Sequence, residues 1–234
     1  MLRRFPWLLT ALVLPLVGVL VALGVWQVER LRWKEGLIDA AAAAQGRPPA
    51  PLAEVLAGGA PEFRRVIVAC PGLATAPFVE LQSILEGEAG VRLVSACRPA
   101  EEAFTLLVDR GFIADGVATR PRVLPSTLPG VIVGELRTPP EPAALAPPPA
   151  NGRFYTRDGP AMARALGVQG ALRPEVAFAV STANPETPAL RPSAPPPAFS
   201  NNHLGYALTW FGLAVALVGF YAALLRRRLK KDLP

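Results

Sequence analysis

Residues that carry chemistry are scarce in this chain, whose 234 positions include one histidine, two cysteines and two methionines. A Ser-His-Asp triad would have to draw on His203, and a metal site built from several imidazoles is excluded. No Walker loop, dinucleotide-binding glycine pattern or CxxCH haem-attachment motif is present. A hydrolase resting on carboxylates such as Asp109 and Asp158 has little support, because no nucleophile and base pair can be named. Charged residues are few, at 18%, whereas hydrophobic residues reach 51% and the mean hydropathy is +0.33. That balance is high for a soluble domain of this length and makes lipid part of the solvent.

The net charge of +6 is concentrated at the ends of the chain. Arg3 and Arg4 precede the first apolar run, and Arg226, Arg227, Arg228, Lys230 and Lys231 follow the last, while the middle holds 17 basic and 17 acidic residues. Nucleic-acid binding needs a basic face on the folded domain, so nucleic acid is not an expected partner. Basic clusters abutting apolar runs instead fit the positive-inside rule and attraction to anionic membrane lipid.

Leu8 to Trp26 is a run of 19 residues without a charge, about 28 Å long as a helix and so long enough to span. Trp7 and Trp26 flank it, where indole rings favour the membrane interface, and Pro15 is tolerable in a lipid-buried helix. A cleaved signal peptide, with Ala22-Leu23-Gly24 as its small-x-small site, is the competing reading. The apolar run exceeds the usual signal core of about 7 to 15 residues, which favours an uncleaved anchor. Leu204 to Leu225 adds 22 uncharged residues and stops against the arginine cluster, placing the C-terminus inside. The expected division is a cytoplasmic N-terminus at 1–7, a first span at 8–26, a periplasmic domain at 27–203, a second span at 204–225 and a basic cytoplasmic tail at 226–234. That describes a multi-pass protein of the bacterial inner membrane with both termini cytoplasmic. Gly212 with Ala216, and Gly219 with Ala223, are small-xxx-small pairs against which the first helix could pack. The general abundance of alanine explains these pairs equally well.

Between the spans, β-prone runs recur between Pro and Gly punctuation at Arg65 to Ala69, Val91 to Ala96, Phe104 to Asp109, Val131 to Leu136, Phe154 to Thr156 and Val176 to Ser181. Arg157 to Leu166 reads as a short helix with Asp158 as N-cap, and Ala-rich Val28 to Ala44 as a helix continuing the first span. The expected fold class is a two-helix transmembrane hairpin with an intervening α+β domain, mostly antiparallel β. Two Pro-rich stretches cannot be central strands: 138–149 reads as an extended loop and 184–198 as a stiff linker. Cys70 and Cys97 each end a predicted strand in a compartment that permits disulfides; a bond between neighbouring strands and two buried thiols are both open.

His203 follows Ser200-Asn201-Asn202, good helix-capping residues, and so opens the second span at the membrane interface. Tyr206 and Trp210 follow at i+3 and i+7, placing imidazole, phenol and indole on one face. Trp26, Arg30 and Trp33 make a matching i, i+4, i+7 surface at the end of the first span. An interfacial aromatic belt and an arginine reaching lipid phosphates are the plain readings of these two clusters. If the helices pack as a hairpin, the clusters would instead enclose one axial ligand, several aromatics and a guanidinium, a set suited to haem and its propionates.

At these residues the sequence resembles the Surfeit-locus protein one family, cytochrome c oxidase assembly factors of bacterial inner membranes and mitochondria. The carrying motifs are Gly24-Val25-Trp26-Gln27 with Arg30 and Trp33-Lys34, and Asn201-Asn202-His203-Leu204 with Tyr206-Ala207 and Thr209-Trp210-Phe211. Val108-Asp109-Arg110-Gly111-Phe112 is similar to the family's Asn-Arg-Gly-Trp segment, Gly130 to Pro139 to its Gly-x-x-Arg strand, and Arg157-Asp158 to its Arg-Asp pair. Asp109, Phe112 and Ala114 stand where Asn, Trp and Pro are usual. The resemblance implies a non-enzymatic factor that assists insertion or retention of haem a in the catalytic subunit of a haem-copper oxidase. It implies His203 as the haem iron's axial ligand, Tyr206, Trp210 and Trp26 as pocket walls, and Arg30 as a propionate partner. The implied partners are that catalytic subunit, the haem a synthase and membrane lipid. The alternative is a protein-binding scaffold that stabilises an oxidase assembly intermediate without binding haem, in which His203 merely caps a helix.

Overall fold

The computed structural model describes residues 6–100, 102–142, 145–194 and 201–230. In chain order the elements are α1 (Trp7–Gln45), β1 (Ala50–Pro51), α2 (Leu52–Ala57), β2 (Arg65–Ala69), β3 (Val79–Leu85), β4 (Glu88–Cys97), β5 (Phe104–Ala114), β6 (Val131–Arg137), β7 (Arg153–Phe154), α3 (Gly159–Ala165), β8 (Ala171–Ala179) and α4 (His203–Lys230). They form two units, residues 1–40 with 198–234, and residues 41–197. The flanking basic residues Arg3, Arg4 and Lys231, together with Ser200 and linker positions 195–198, lie outside the described residues.

The first unit is a helix pair. The apolar run and the Ala-rich stretch after it form one unbroken helix of 39 residues with Pro15 inside it, about 58 Å long against a hydrocarbon layer of roughly 30 Å. Both α1 and α4 are long and apolar enough to cross a membrane. They meet along Val13, Gly24 and Gln27 of α1 and Ala207 and Ala214 of α4, all buried. Gly24 gives the Phe211 ring room, because a Cβ there would lie 2.6 Å from it and the ring would have to shift. Near the other end Thr10 Oγ1 and Tyr221 OH share a hydrogen bond of 2.5 Å. Gly212 and Gly219, by contrast, have nothing within 4 Å of where a Cβ would stand, so of the two readings of the small-residue pairs the structure favours the abundance of alanine. The contact needs a gap where the partner projects a ring; α4 brings Phe211 and α1 leaves the gap at Gly24.

The second unit is an eight-stranded sheet in the order β1-β2-β6-β8-β5-β4-β3-β7. It is mixed, not mostly antiparallel: β2/β6, β6/β8, β5/β4 and β4/β3 run antiparallel, while β1/β2, β8/β5 and β3/β7 run parallel. The central β5/β8 pair is parallel because the chain between them carries β6, β7 and α3 and re-enters the sheet from the same end. β3, absent from the sequence reading, hairpins with β4 through Glu86 and Gly87, both at positive φ of 53° and 84°. Such a two-residue turn needs φ > 0 at both positions, and Glu is an uncommon first residue for it.

Both faces of the central strands are covered, as expected for a sheet with parallel pairing. Val66, Val68, Leu106, Val108 and Ala177 pack with Leu52 and Val55 of α2, while Leu107, Val176 and Phe178 pack with Met162 and Ala163 of α3. Asp158 caps α3, accepting a hydrogen bond from Ala161 N at 2.9 Å. Cys70 and Cys97 form a disulfide with Cα atoms 5.5 Å apart. They do not join neighbouring strands, since β2 and β4 stand four places apart in the sheet, about 19 Å if it were flat. The sheet therefore curls to bring them into one apolar cluster.

The stretch read as a linker is, from Asn184 to Ala194, part of the packed domain. Asn184, Thr187 and Leu190 are buried, and Arg191 pairs backbone to backbone with Phe112 at 2.8 and 2.9 Å. Proline prevents it from being a central strand but not from being an edge, because Arg191 itself still donates and accepts.

Candidate functional site

His203 is the first residue of α4, and its ring lies against α1, with Nδ1 2.7 Å from Gln27 Oε1. Gln27 is 9% exposed and Ala207, one turn along from His203, is 2% exposed. Gln27 Oε1 can only accept, so this contact pairs it with a ring that carries a proton on Nδ1. Asn201 Oδ1, two residues before the ring, is buried with no hydrogen-bond partner.

The other residues expected at this end are exposed or half-buried. Trp26 and Tyr206 stand largely uncovered, Trp210 is half-buried, and Arg30 stacks its guanidinium 4.7 Å from the centre of the Trp33 ring. Among the described residues no hydrogen bond or ring stacking joins Trp26, Tyr206 and Trp210 to one another. The structure thus brings His203 to α1 through Gln27 and leaves the aromatic residues as open flanking surfaces. This set still fits a haem: an imidazole for the iron, flat aromatic faces for a macrocycle, and a guanidinium for a carboxylate. Gln27, part of the Gly24-Val25-Trp26-Gln27 motif but given no role from the sequence, is the site residue that the structure adds. It stands at i+3 from Gly24, where the helices approach.

A second polar cluster lies inside the sheet domain. Asp109 is fully buried and accepts from Arg92 Nε at 2.7 Å, Arg157 Nη2 at 2.9 Å and Gly111 N at 3.2 Å. Two guanidiniums therefore share one carboxylate, and the Phe178 ring covers both at 5.7 and 4.6 Å. Burial lowers the pKa of Arg157, partly offset by the charge of Asp109. Arg92 also binds Ser193 through its hydroxyl at 3.2 Å and through its carbonyl, tying down the segment that leads toward α4.

Next to Asp109 the pairing of β5 with β4 slips: Arg92 faces Phe112 and Val94 faces Asp109, so Arg110 and Gly111 together oppose Leu93. This bulge turns Arg110 into the interior, where it donates to Asn184 Oδ1 at 2.6 and 3.1 Å, Ser95 Oγ at 3.2 Å and the carbonyls of Ala74 and Ala76. None of these acceptors carries a charge, and burial lowers the Arg110 pKa to about 10. Gly111 sits at φ 132°, and a Cβ on it would come within 2.5 Å of Arg191 O. The Asp109-Arg110-Gly111 run is thus a structural clasp between the sheet and the 184–194 segment, and offers no exposed chemistry.

Beside it runs a groove of about 730 Å³ walled by Pro139, Pro140, Leu107, Leu172 and Val176. Its polar lining is largely committed: Arg157 to Asp109, Asp158 to Ala161 N, and Arg173 to Glu175 at 2.7 Å.

Comparison with curated proteins finds no match. A sequence model of the SURF1 family matches residues 14–215, from within α1 to within α4. The chain belongs to the SURF1 family, a family of cytochrome oxidase assembly factors.

Proposed function

We propose that this protein assists the placement or retention of haem a in the catalytic subunit of a cytochrome oxidase, holding the haem transiently through His203 at the mouth of the helix pair. The observation that carries this reading is the His203 ring itself, held through Nδ1 by Gln27 so that Nε2 is left to coordinate. Haem, when bound, supplies an iron with axial positions that an imidazole nitrogen can fill. Trp26, Tyr206 and Trp210 offer aromatic surface to the macrocycle, and Arg30 offers charge to a propionate. With one histidine in the chain, no second imidazole is available. Single ligation by the protein suits passing the haem on better than storing it. In this reading the sheet domain is periplasmic, both termini are cytoplasmic, and the haem a synthase stands upstream as donor.

The test is a host lacking the protein, complemented with wild type or His203→Ala. The haem a content of the purified oxidase catalytic subunit should fall in the variant. Full haem occupancy with His203→Ala would replace this reading by a scaffold that stabilises the oxidase intermediate without touching haem.

A further inference from the structure

We infer that Gln27 is a positioning residue that holds His203 as its Nδ1–H tautomer and so presents Nε2 as a metal-ligating nitrogen before any ligand arrives. The inference rests on the haem reading above for its purpose, but its physical content is a property of the protein alone. A histidine side chain free in water prefers the opposite tautomer, with the proton on Nε2, a form that cannot coordinate through Nε2. Reversing the preference requires an acceptor at Nδ1, and Gln27 Oε1 stands there at 2.7 Å. Three features hold that acceptor in place. Gln27 is buried at 9% exposure; Gly24, one turn before it, lets the helices close against the Phe211 ring; and Ala207 packs flat one turn after His203.

The choice of an amide has its own logic. A carboxylate at position 27 would also accept from Nδ1, but it would favour the imidazolium, which has no lone pair to give. A neutral carbonyl fixes the tautomer without adding a charge at the membrane edge. Hydrogen bonding at the far nitrogen also orients the ring and raises the donor strength of Nε2, the service that outer partners give to metal-bound histidines generally.

The single histidine makes this directly measurable. The chain is labelled with ring-¹⁵N histidine, purified on a histidine-free tag into lipid nanodiscs, and examined by NMR at a pH of about 8, above the usual histidine range. The wild type should show a protonated, pyrrole-type Nδ1 and an unprotonated, pyridine-type Nε2. Gln27→Leu should shift the proton toward Nε2, while Gln27→Glu keeps Nδ1 protonated. A wild type with its proton on Nε2 would overturn the inference, since Gln27 would then present its NH₂ to Nδ1. A Gln27→Leu spectrum identical to wild type, with helix content unchanged, would overturn it too. Titration with ferric haem b then separates this idea from the haem reading: Gln27→Leu should weaken binding by about 10- to 100-fold. If the wild type has the expected tautomer but takes up no haem, the haem reading fails and the tautomer assignment stands. If haem binds through His203 with equal affinity in wild type and Gln27→Leu, the haem reading stands and Gln27 loses its role.

Discussion

Replacing Asp109 by Asn, a change of one heavy atom and one unit of charge, should destabilise this protein. The carboxylate is fully buried and is the acidic partner of two guanidiniums, Arg92 at 2.7 Å and Arg157 at 2.9 Å, through the same oxygen. Asn keeps one acceptor for Gly111 N, but its NH₂ group then faces two N–H donors and the charge is gone. Breaking a buried ion pair by removing one partner costs about 3–5 kcal/mol, a large share of the roughly 5–15 kcal/mol that holds a typical domain. The assay is hydrogen exchange by mass spectrometry on the whole protein in detergent, read on peptides of β4 and β5, which lie in the middle of the sheet. Such central strands exchange through the largest openings, so a loss of 3 kcal/mol or more should speed their exchange by at least about a hundredfold. Exchange within about threefold of wild type would refute the argument that Asp109 carries both arginines.

Gly24→Leu should force the Phe211 ring off α1 and cost about 1–3 kcal/mol of overpacking, read as faster amide exchange in α4; unchanged exchange would contradict the close approach of the Phe211 ring to Gly24. Gly111→Ala places a side chain at φ 132° against Arg191 O, a strain of about 1–3 kcal/mol, and should open the 184–194 segment to thermolysin at Leu190. Protection equal to wild type would count against the clasp. Cys97→Ser removes the link between residues 70 and 97 and should cost about 2–4 kcal/mol, visible as earlier unfolding of the sheet domain under oxidising conditions and no difference from wild type under reducing ones. Tyr221→Phe removes the hydrogen bond to Thr10 and should matter little, about 0.6 kcal/mol on the scale of bonds between membrane helices; a loss above about 2 kcal/mol in the same exchange assay would show that this bond is coupled to more than one partner.

The elements that could be read from the sequence are those whose cause is local. β2 alternates buried and exposed residues in register with its pattern, and Asp158 three places before Ala161 is a cap by spacing alone. The unbroken α1 follows from an apolar run meeting an Ala-rich one without punctuation. What stayed hidden depends on partners far away in the chain. The parallel β5/β8 pairing is set by a crossover, and a strand carries no mark of which end its neighbour enters from. The role of Asp109 at the end of a β-prone run is not visible locally, because its arginines are supplied by β4 and by the turn before α3. Gln27 and His203 are 176 positions apart, so neither residue's neighbourhood announces the other. The packed face of α4 stays open in the sequence for the same reason: glycines mark where a helix can be approached, and Phe211 decides where it is.

The most direct measurement of haem handling is a comparison of wild type and His203→Ala, each purified in detergent from a host that makes haem a. The visible spectrum and the acid-extracted haem are quantified per mole of protein. Near-stoichiometric haem in the wild type, lost in the variant, is the expected result. A colourless wild type, or a variant that keeps its haem, would contradict the assignment of His203 as the ligand.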